Sequence, residues 1–180
     1  GNIATFLGRK LNTQYQGETS TRFAGHNVGY RAHVASNGWQ PEVWNGRVAG
    51  MLAQTQSVNW ATPAIEAIQI RLNNLPSGVG VQYQLALRGQ GWQPGVSDGQ
   101  LAGTVGQHLP AEGIRVSLVN PPSNRRICYR AFRTNGTWQP PVCDGRIAGM
   151  VMKRNICRLE TPSSLAASMM SAIAFTAALM

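Results

Sequence analysis

From residue 28 onward, apolar side chains recur at every second position in separate stretches. Tyr30, Ala32 and Val34 alternate with Arg31, His33 and Ala35, and Tyr83, Leu85 and Leu87 with Gln84, Ala86 and Arg88. Further along, Ile68, Ile70 and Leu72 alternate with Gln69 and Arg71, then Ile114, Val116 and Leu118 with Arg115 and Ser117. A period of two belongs to a strand with one buried face. Between these strands stand Pro41, Pro94 and Pro140, which cannot donate to a ladder and so mark a turn or a sheet edge. One or two short strands are expected beside each proline.

The segments between the strands are themselves repeated. Tyr30, Tyr83 and Tyr129 each stand nine residues before Trp39, Trp92 and Trp138. Gly46, Gly99 and Gly145 follow each tryptophan by seven, and the pairs Ala49-Gly50, Ala102-Gly103 and Ala148-Gly149 begin ten after it. Gln-Pro follows every one of these tryptophans, and Asn45, Asp98 or Asp144 precedes the later glycine. That is an Asx-Gly turn, whose glycine can take a positive φ. The chain therefore divides into a 1–27 extension and three copies, 28–74, 75–120 and 121–180. No copy can bury its apolar face alone, so the three should close on one interior. The expected fold is all-β and pseudo-threefold: β-prism-like, with a β-trefoil as the alternative.

The third copy ends irregularly. A delayed closing strand through Ile173, Phe175, Ala177 and Leu179 preserves the alternation and is the preferred reading; otherwise Arg158-Leu159-Glu160 stands where Ile65-Glu66 and Ala111-Glu112 stand. Residues 163–180 carry no charge, and their Ala, Leu and Met content also suits an apolar helix, in the core, in a membrane or against a partner. In the extension, Ile3, Thr5 and Leu7 could add a strand beside the C-terminal one.

The length of 180 residues suits one domain, and 43% apolar with 13% charged residues describes a globular chain. Gly1 at the start and the lack of a visible leader suggest a mature or trimmed product. The net charge is +9, almost wholly from arginine, since Lys10 and Lys153 are the only lysines. It serves either solubility or an anionic neighbour such as nucleic acid, a lipid surface or acidic wall polymer. From Pro121 onward, eight basic residues face only Asp144 and Glu160, but without the interleaved aromatics of a single-strand binder. Nucleic acid is therefore the less favoured partner, and a membrane is left open. Cys128, Cys143 and Cys157 allow one cross-link without choosing the pair, which permits an oxidising compartment.

The string from Tyr83 to Gln107, Y-x-A-x-x-x-x-G-W-Q-x-x-V-x-D-G-x-x-A-G-T-x-G-Q with small departures, resembles the clostridial hydrophobic repeat with conserved tryptophan. The resemblance covers about residues 28–160 in three copies. It implies an extracellular or cell-surface bacterial protein that adheres to, or holds, polysaccharide or protein without catalysis. The Thr104 to Gln107 tail becomes Met51 to Gln54 and Met150 to Lys153 in the other copies.

Candidate ligand-binding residues follow from the repeat. Trp39, Trp92 and Trp138 could stack sugar rings or could plug each copy, while Trp44 and Trp60, absent from the other copies, suit exposed binding. Asn45, Asp98 and Asp144, beside Gly46, Gly99 and Gly145, could clasp vicinal hydroxyls or could merely close their own turns. Glycoside cleavage needs two acids about 5–9.5 Å apart; of the seven acidic residues, Glu66, Asp98, Glu112, Asp144 and Glu160 sit in the repeat frame, which spreads equivalents far apart and argues against an enzyme. His26, His33 and His108 show no ligand spacing with the cysteines, so neither metal nor cofactor is expected. The resulting expectation is a noncatalytic module for carbohydrate or another surface polymer. The alternative is a structural subunit that self-associates through its termini into a filament or oligomer.

Overall fold

The structure, a computed structural model, describes residues 27–52, 63–123, 125–151 and 169–178. Every alternating stretch forms a long strand, and short strands lie between. The first copy holds β1 (Asn27–Val34), β2 (Gly38–Trp39), β3 (Val43–Trp44), β4 (Ala49–Gly50) and β5 (Ile65–Asn73). The second repeats this order as β6 (Gly80–Leu87), β7 (Gly91–Trp92), β8 (Val96–Ser97), β9 (Ala102–Gly103) and β10 (Ala111–Val119). The third has β11 (Ile127–Arg133), β12 (Val142–Cys143), β13 (Ala148–Gly149) and β14 (Met170–Ala178), with a single Phe132–Trp138 bridge in place of the first short strand. Three short pairings per copy, rather than one or two, arise because tryptophan, valine and Ala-Gly each meet a long strand.

The opening and closing strands of a copy pair antiparallel, with Tyr30 opposite Ile70, Tyr83 opposite Val116 and Tyr129 opposite Phe175. Their inward side chains, among them Val28, Tyr30, Ile68, Leu85, Ile114, Ile127, Tyr129, Ile173 and Phe175, form one fully buried cluster shared by all three sheets. Burying a side chain of this size contributes about 1.5–3 kcal/mol. The three sheets are antiparallel, and no barrel closes among the described strands, which sets aside the trefoil. The closing strand of the third copy is 170–178, so this apolar segment is a strand between β11 and β4 and not a helix. The stretches Ile3–Leu7 and 158–160, together with Trp60 and Cys157, lie outside the described residues.

The sheets are joined by a cyclic exchange. Ala102-Gly103 of the second copy pairs with β5 of the first, Ala148-Gly149 of the third with β10 of the second, and Ala49-Gly50 of the first with β14 of the third. The glycine of each pair has φ of +97°, +94° or +106° at Gly50, Gly103 and Gly149, a region that L side chains rarely adopt. A Cβ there would lie 2.2–2.3 Å from the carbonyl oxygen of Ser171, Glu66 or Glu112. Each of those three residues is skipped in its ladder, so each is a β-bulge, and its carbonyl accepts the N–H of Met51, Thr104 or Met150. Thus the Ala-Gly signature marks the point where one copy's backbone presses against its neighbour's.

The tyrosines secure the same joints. The hydroxyls of Tyr30, Tyr83 and Tyr129 donate to the carbonyls of Arg47, Gln100 and Arg146 in their own copies. They accept backbone N–H from Phe175, Ile70 and Val116 in the adjoining sheets, at 3.4, 3.1 and 2.9 Å. Burial, partly offset by those backbone bonds, pushes the Tyr129 phenol up to about 12 and raises those of Tyr30 and Tyr83 as well. The three tyrosines therefore have like surroundings, as a threefold unit requires.

Candidate functional site

Residues on the face of each sheet opposite the core carry the polar chemistry. On the first sheet, Arg31 of β1 and Gln69 of β5 are register partners, and the Arg31 Nε donates to Gln69 Oε1 at 2.7 Å. The Gln69 amide in turn donates to the Gly99 carbonyl of the second copy at 3.0 Å. Two positions along β5, Arg71 grips Glu42 in a two-pronged pair, Nε to Oε1 and Nη2 to Oε2, both 2.7 Å. Hydrogen bonding from Arg71 holds the Glu42 carboxyl below its usual range. These residues line an open groove of ≈ 310 Å³, with the Gly99 turn at one side.

Two indoles stack on arginines that line the groove, though neither ring lines it itself. The Arg31 guanidinium lies 4.5 Å over Trp39 and that of Arg71 4.9 Å over Trp44. Trp39, Trp92 and Trp138 are half-buried on the outer faces rather than in the shared interior, each beneath an arginine. Their edges meet whatever residue stands opposite: His33 at 5.3 Å for Trp39, and Phe132 at 5.1 Å for Trp138. Trp44 is also half-buried and covers Gly29, where a Cβ would come within 2.7 Å of the ring. The position of the Gly29–Trp44 pair is Gln82–Ser97 in the second copy and the Cys128–Cys143 disulfide in the third. One register site is thus filled by an indole over glycine, by two polar side chains, or by a covalent bond.

The Asx residues of the turns bond to their own strands. Asn45, Asp98 and Asp144 have φ of 48°, 36° and 51°, and Gly46, Gly99 and Gly145 follow at 84°, 81° and 79°. Two successive positive φ values make the turn type that Asx-Gly favours. In each, Oδ1 accepts the N–H that begins the copy's first strand: Val28 at 2.9 Å, Val81 at 2.8 Å and Ile127 at 3.0 Å. The turns thus sit at sheet margins, and only the Gly99 turn borders the groove.

The bulge residues were not legible as a set. Glu66 is fully buried, and its carboxylate accepts N–H from Gly106 and His108, both at 2.9 Å, and lies 2.9 Å from His33 Nδ1. The Thr104 to Gln107 tail of the second copy therefore leads into a clamp on the first copy's glutamate. Glu112 takes Arg88 Nε at 3.1 Å, and the third bulge residue, Ser171, has no carboxylate. Among the described residues, no three His, Cys, Asp or Glu side chains gather as a metal would need.

The stretch from Leu87 to Asn120 holds the Trp92 hairpin, the Asp98-Gly99 turn, the Ala-Gly strand and β10. Residues 87–120 match ChW, the clostridial hydrophobic W family. The match spans one copy. ChW repeats occur in surface-associated bacterial proteins. No curated protein and no solved structure matches the chain. No helix among the described residues is long and apolar enough to cross a membrane.

Proposed function

We propose that the protein is a noncatalytic, extracellular surface module that holds carbohydrate or another cell-surface polymer along the outer face of its first sheet. The observation that carries this reading is the groove itself. An amide, a fixed arginine–carboxylate pair and a turn carbonyl converge there, with both arginines stacked on indoles, which suits hydroxyl-bearing rings or chains. Trp39 and Trp44 hold its two arginines from behind, and Arg31, Gln69, Arg71 and Glu42 supply its donors and acceptors. Trp92 and Trp138 would serve corresponding positions on the other sheets. The Asx-Gly turns at 45–46, 98–99 and 144–145 act chiefly as strand caps, and the Gly99 carbonyl is held by Gln69.

Binding to immobilised polysaccharides, compared between the wild type and Arg71→Ala or Trp44→Ala, tests the assignment. Loss of binding with unchanged thermal stability supports it, and undiminished binding in both variants refutes the groove. The alternative of a self-assembling subunit drew on the apolar termini. Residues 170–178 already pair along β11 on one side and, at Ala172 and Ile173, with β4 on the other, so much of this strand is engaged within the chain.

A further inference from the structure

Three residues of the first copy have no counterpart in the other two. Three positions after the repeat tryptophan stands Glu42, where the other copies have Gly95 and Pro141. Five after it stands Trp44, against Ser97 and Cys143. On the closing strand the register partner of Gly29 is Arg71, whereas Gln82 faces Ser117 and Cys128 faces Ala177. Although Glu42 and Arg71 lie 29 residues apart in the chain, the departures meet at one point, where Arg71 grips Glu42 and lies 4.9 Å over Trp44. The fold does not ask for this trio. Both other sheets keep their long ladders and their Asx-capped strands without it. Glu42 and Arg71 are exposed, and exposed ion pairs contribute little to stability. Residues that one copy adds to an already satisfied repeat, and that converge on its groove, point to a ligand.

The pair has hydrogen-bonding capacity to spare. A guanidinium carries five N–H donors, and Arg71 spends one on Nε and one on Nη2 to reach Glu42. Each carboxylate oxygen accepts one of these and keeps a further lone pair. Among the described residues neither side chain has another hydrogen-bond partner. Donors and acceptors therefore stand side by side, ordered by the two-pronged pair and by the indole behind it, so little freedom is lost on binding. An oxyanion could use only the guanidinium and would meet Glu42; an ammonium could use only the carboxylate and would meet Arg71. A hydroxyl both gives and takes a hydrogen bond, so two hydroxyls on adjacent carbons match the paired groups. Gln69, committed to Arg31 and to the Gly99 carbonyl, fixes the wall beside them.

We infer that Glu42 and Arg71 form one recognition subsite per chain, on the first sheet alone, for the vicinal hydroxyls of a neutral pyranose polymer. This rests on the polymer-holding reading above and narrows it to an uncharged polysaccharide with free adjacent hydroxyls. Trp44 is a positioning residue, which meets the guanidinium and not the sugar. Stacking at Trp92 or Trp138 adds no such selection.

Dextran, mannan and galactan, each immobilised, provide the probes. A second set of the same polymers is oxidised with periodate and reduced with borohydride, which cuts the bond between hydroxyl-bearing neighbours and leaves the polymer uncharged. The protein should bind at least one native polymer, and about tenfold more weakly after that treatment, with little change on adding salt. Glu42→Gln and Arg71→Gln should each weaken binding to the native polymer about tenfold. The two variants change the net charge in opposite directions, so Glu42→Gln strengthening what Arg71→Gln weakens would mark an anion site and overturn the inference. Calorimetric titration with hexasaccharides of the bound polymer should give one site per chain, and more than one equivalent site overturns it as well. Equal binding of native and oxidised polymer, with both variants weakened, removes the diol while leaving the proposed function standing. Undiminished binding by both variants removes the groove, and binding to none of the native polymers overturns both readings. Urea denaturation of each variant separates a lost site from a lost fold, and the oxidation comparison needs no variant at all.

Discussion

Gly103→Ala probes the joint between the first two copies. At φ +94° an L residue pays about 1–2 kcal/mol for the left-handed backbone. The new methyl would also lie 2.2 Å from the Glu66 carbonyl oxygen and 3.0 Å from both Ala67 Cα and Leu85 Cδ1. Two of those neighbours are backbone, so relief requires β9 to move off β5, stretching the 2.9 Å bond from Thr104 N–H to Glu66. Overpacking costs about 1–3 kcal/mol and a weakened hydrogen bond about 1 kcal/mol, giving roughly 3–6 kcal/mol in all. Gly89→Ala is the matched control. Its φ is +75°, and a Cβ there meets nothing within 4 Å, so it should cost only the backbone strain. Urea unfolding followed by tryptophan fluorescence reads both. With a urea m-value of about 2 kcal/mol/M, the two midpoints should differ by about 1 M or more. Equal destabilisation would show that the close approach is immaterial and would remove the physical reason given for the Ala-Gly signature.

Three further outcomes follow from other parts of the fold. Cys128→Ser with Cys143→Ser should lower stability by about 3 kcal/mol, the effect of closing a loop of this size, and calorimetry of the oxidised and reduced protein checks the value. Gly29→Ala should destabilise by about 1–3 kcal/mol through collision with Trp44, and Trp44→Ala in the same chain should recover part of the loss in a double-mutant cycle. Because the Tyr129 phenol is raised to about 12 in the fold, its contribution is whole below the ordinary value near 10 and disappears as pH climbs toward 12. Urea midpoints should accordingly fall across that alkaline window, and Tyr129→Phe should flatten the fall.

The long strands could be read from the chain because Tyr30 to Val34 and Ile114 to Leu118 each face one interior, and a single buried face writes a period of two. Fixed spacings announced the threefold unit, including a closing strand that 163–180 could have hidden as a helix. The exchange between copies was not legible. Nothing in Ala102-Gly103 says that its partner is β5 and not a strand of its own copy, since pairing across the joint depends on φ and on a bulge in a distant segment. The Glu66 clamp escaped for the same reason: its donors are backbone N–H groups, which carry no residue signature. The outer-face arginines were visible as composition but not as stacks. Arg115 and Arg31 occupy non-equivalent places in the repeat, and only the ladder registers bring each above an indole.

The exchange also fixes how many copies one closed unit can hold. Each one lends a dipeptide backward, and the first lends to the third, so the loan circuit has no beginning. Excising a copy would leave a lender without a recipient, and grafting in a fourth would force every joint to a new angle. The triplet is therefore the smallest unit that can be inherited, trimmed or engineered intact.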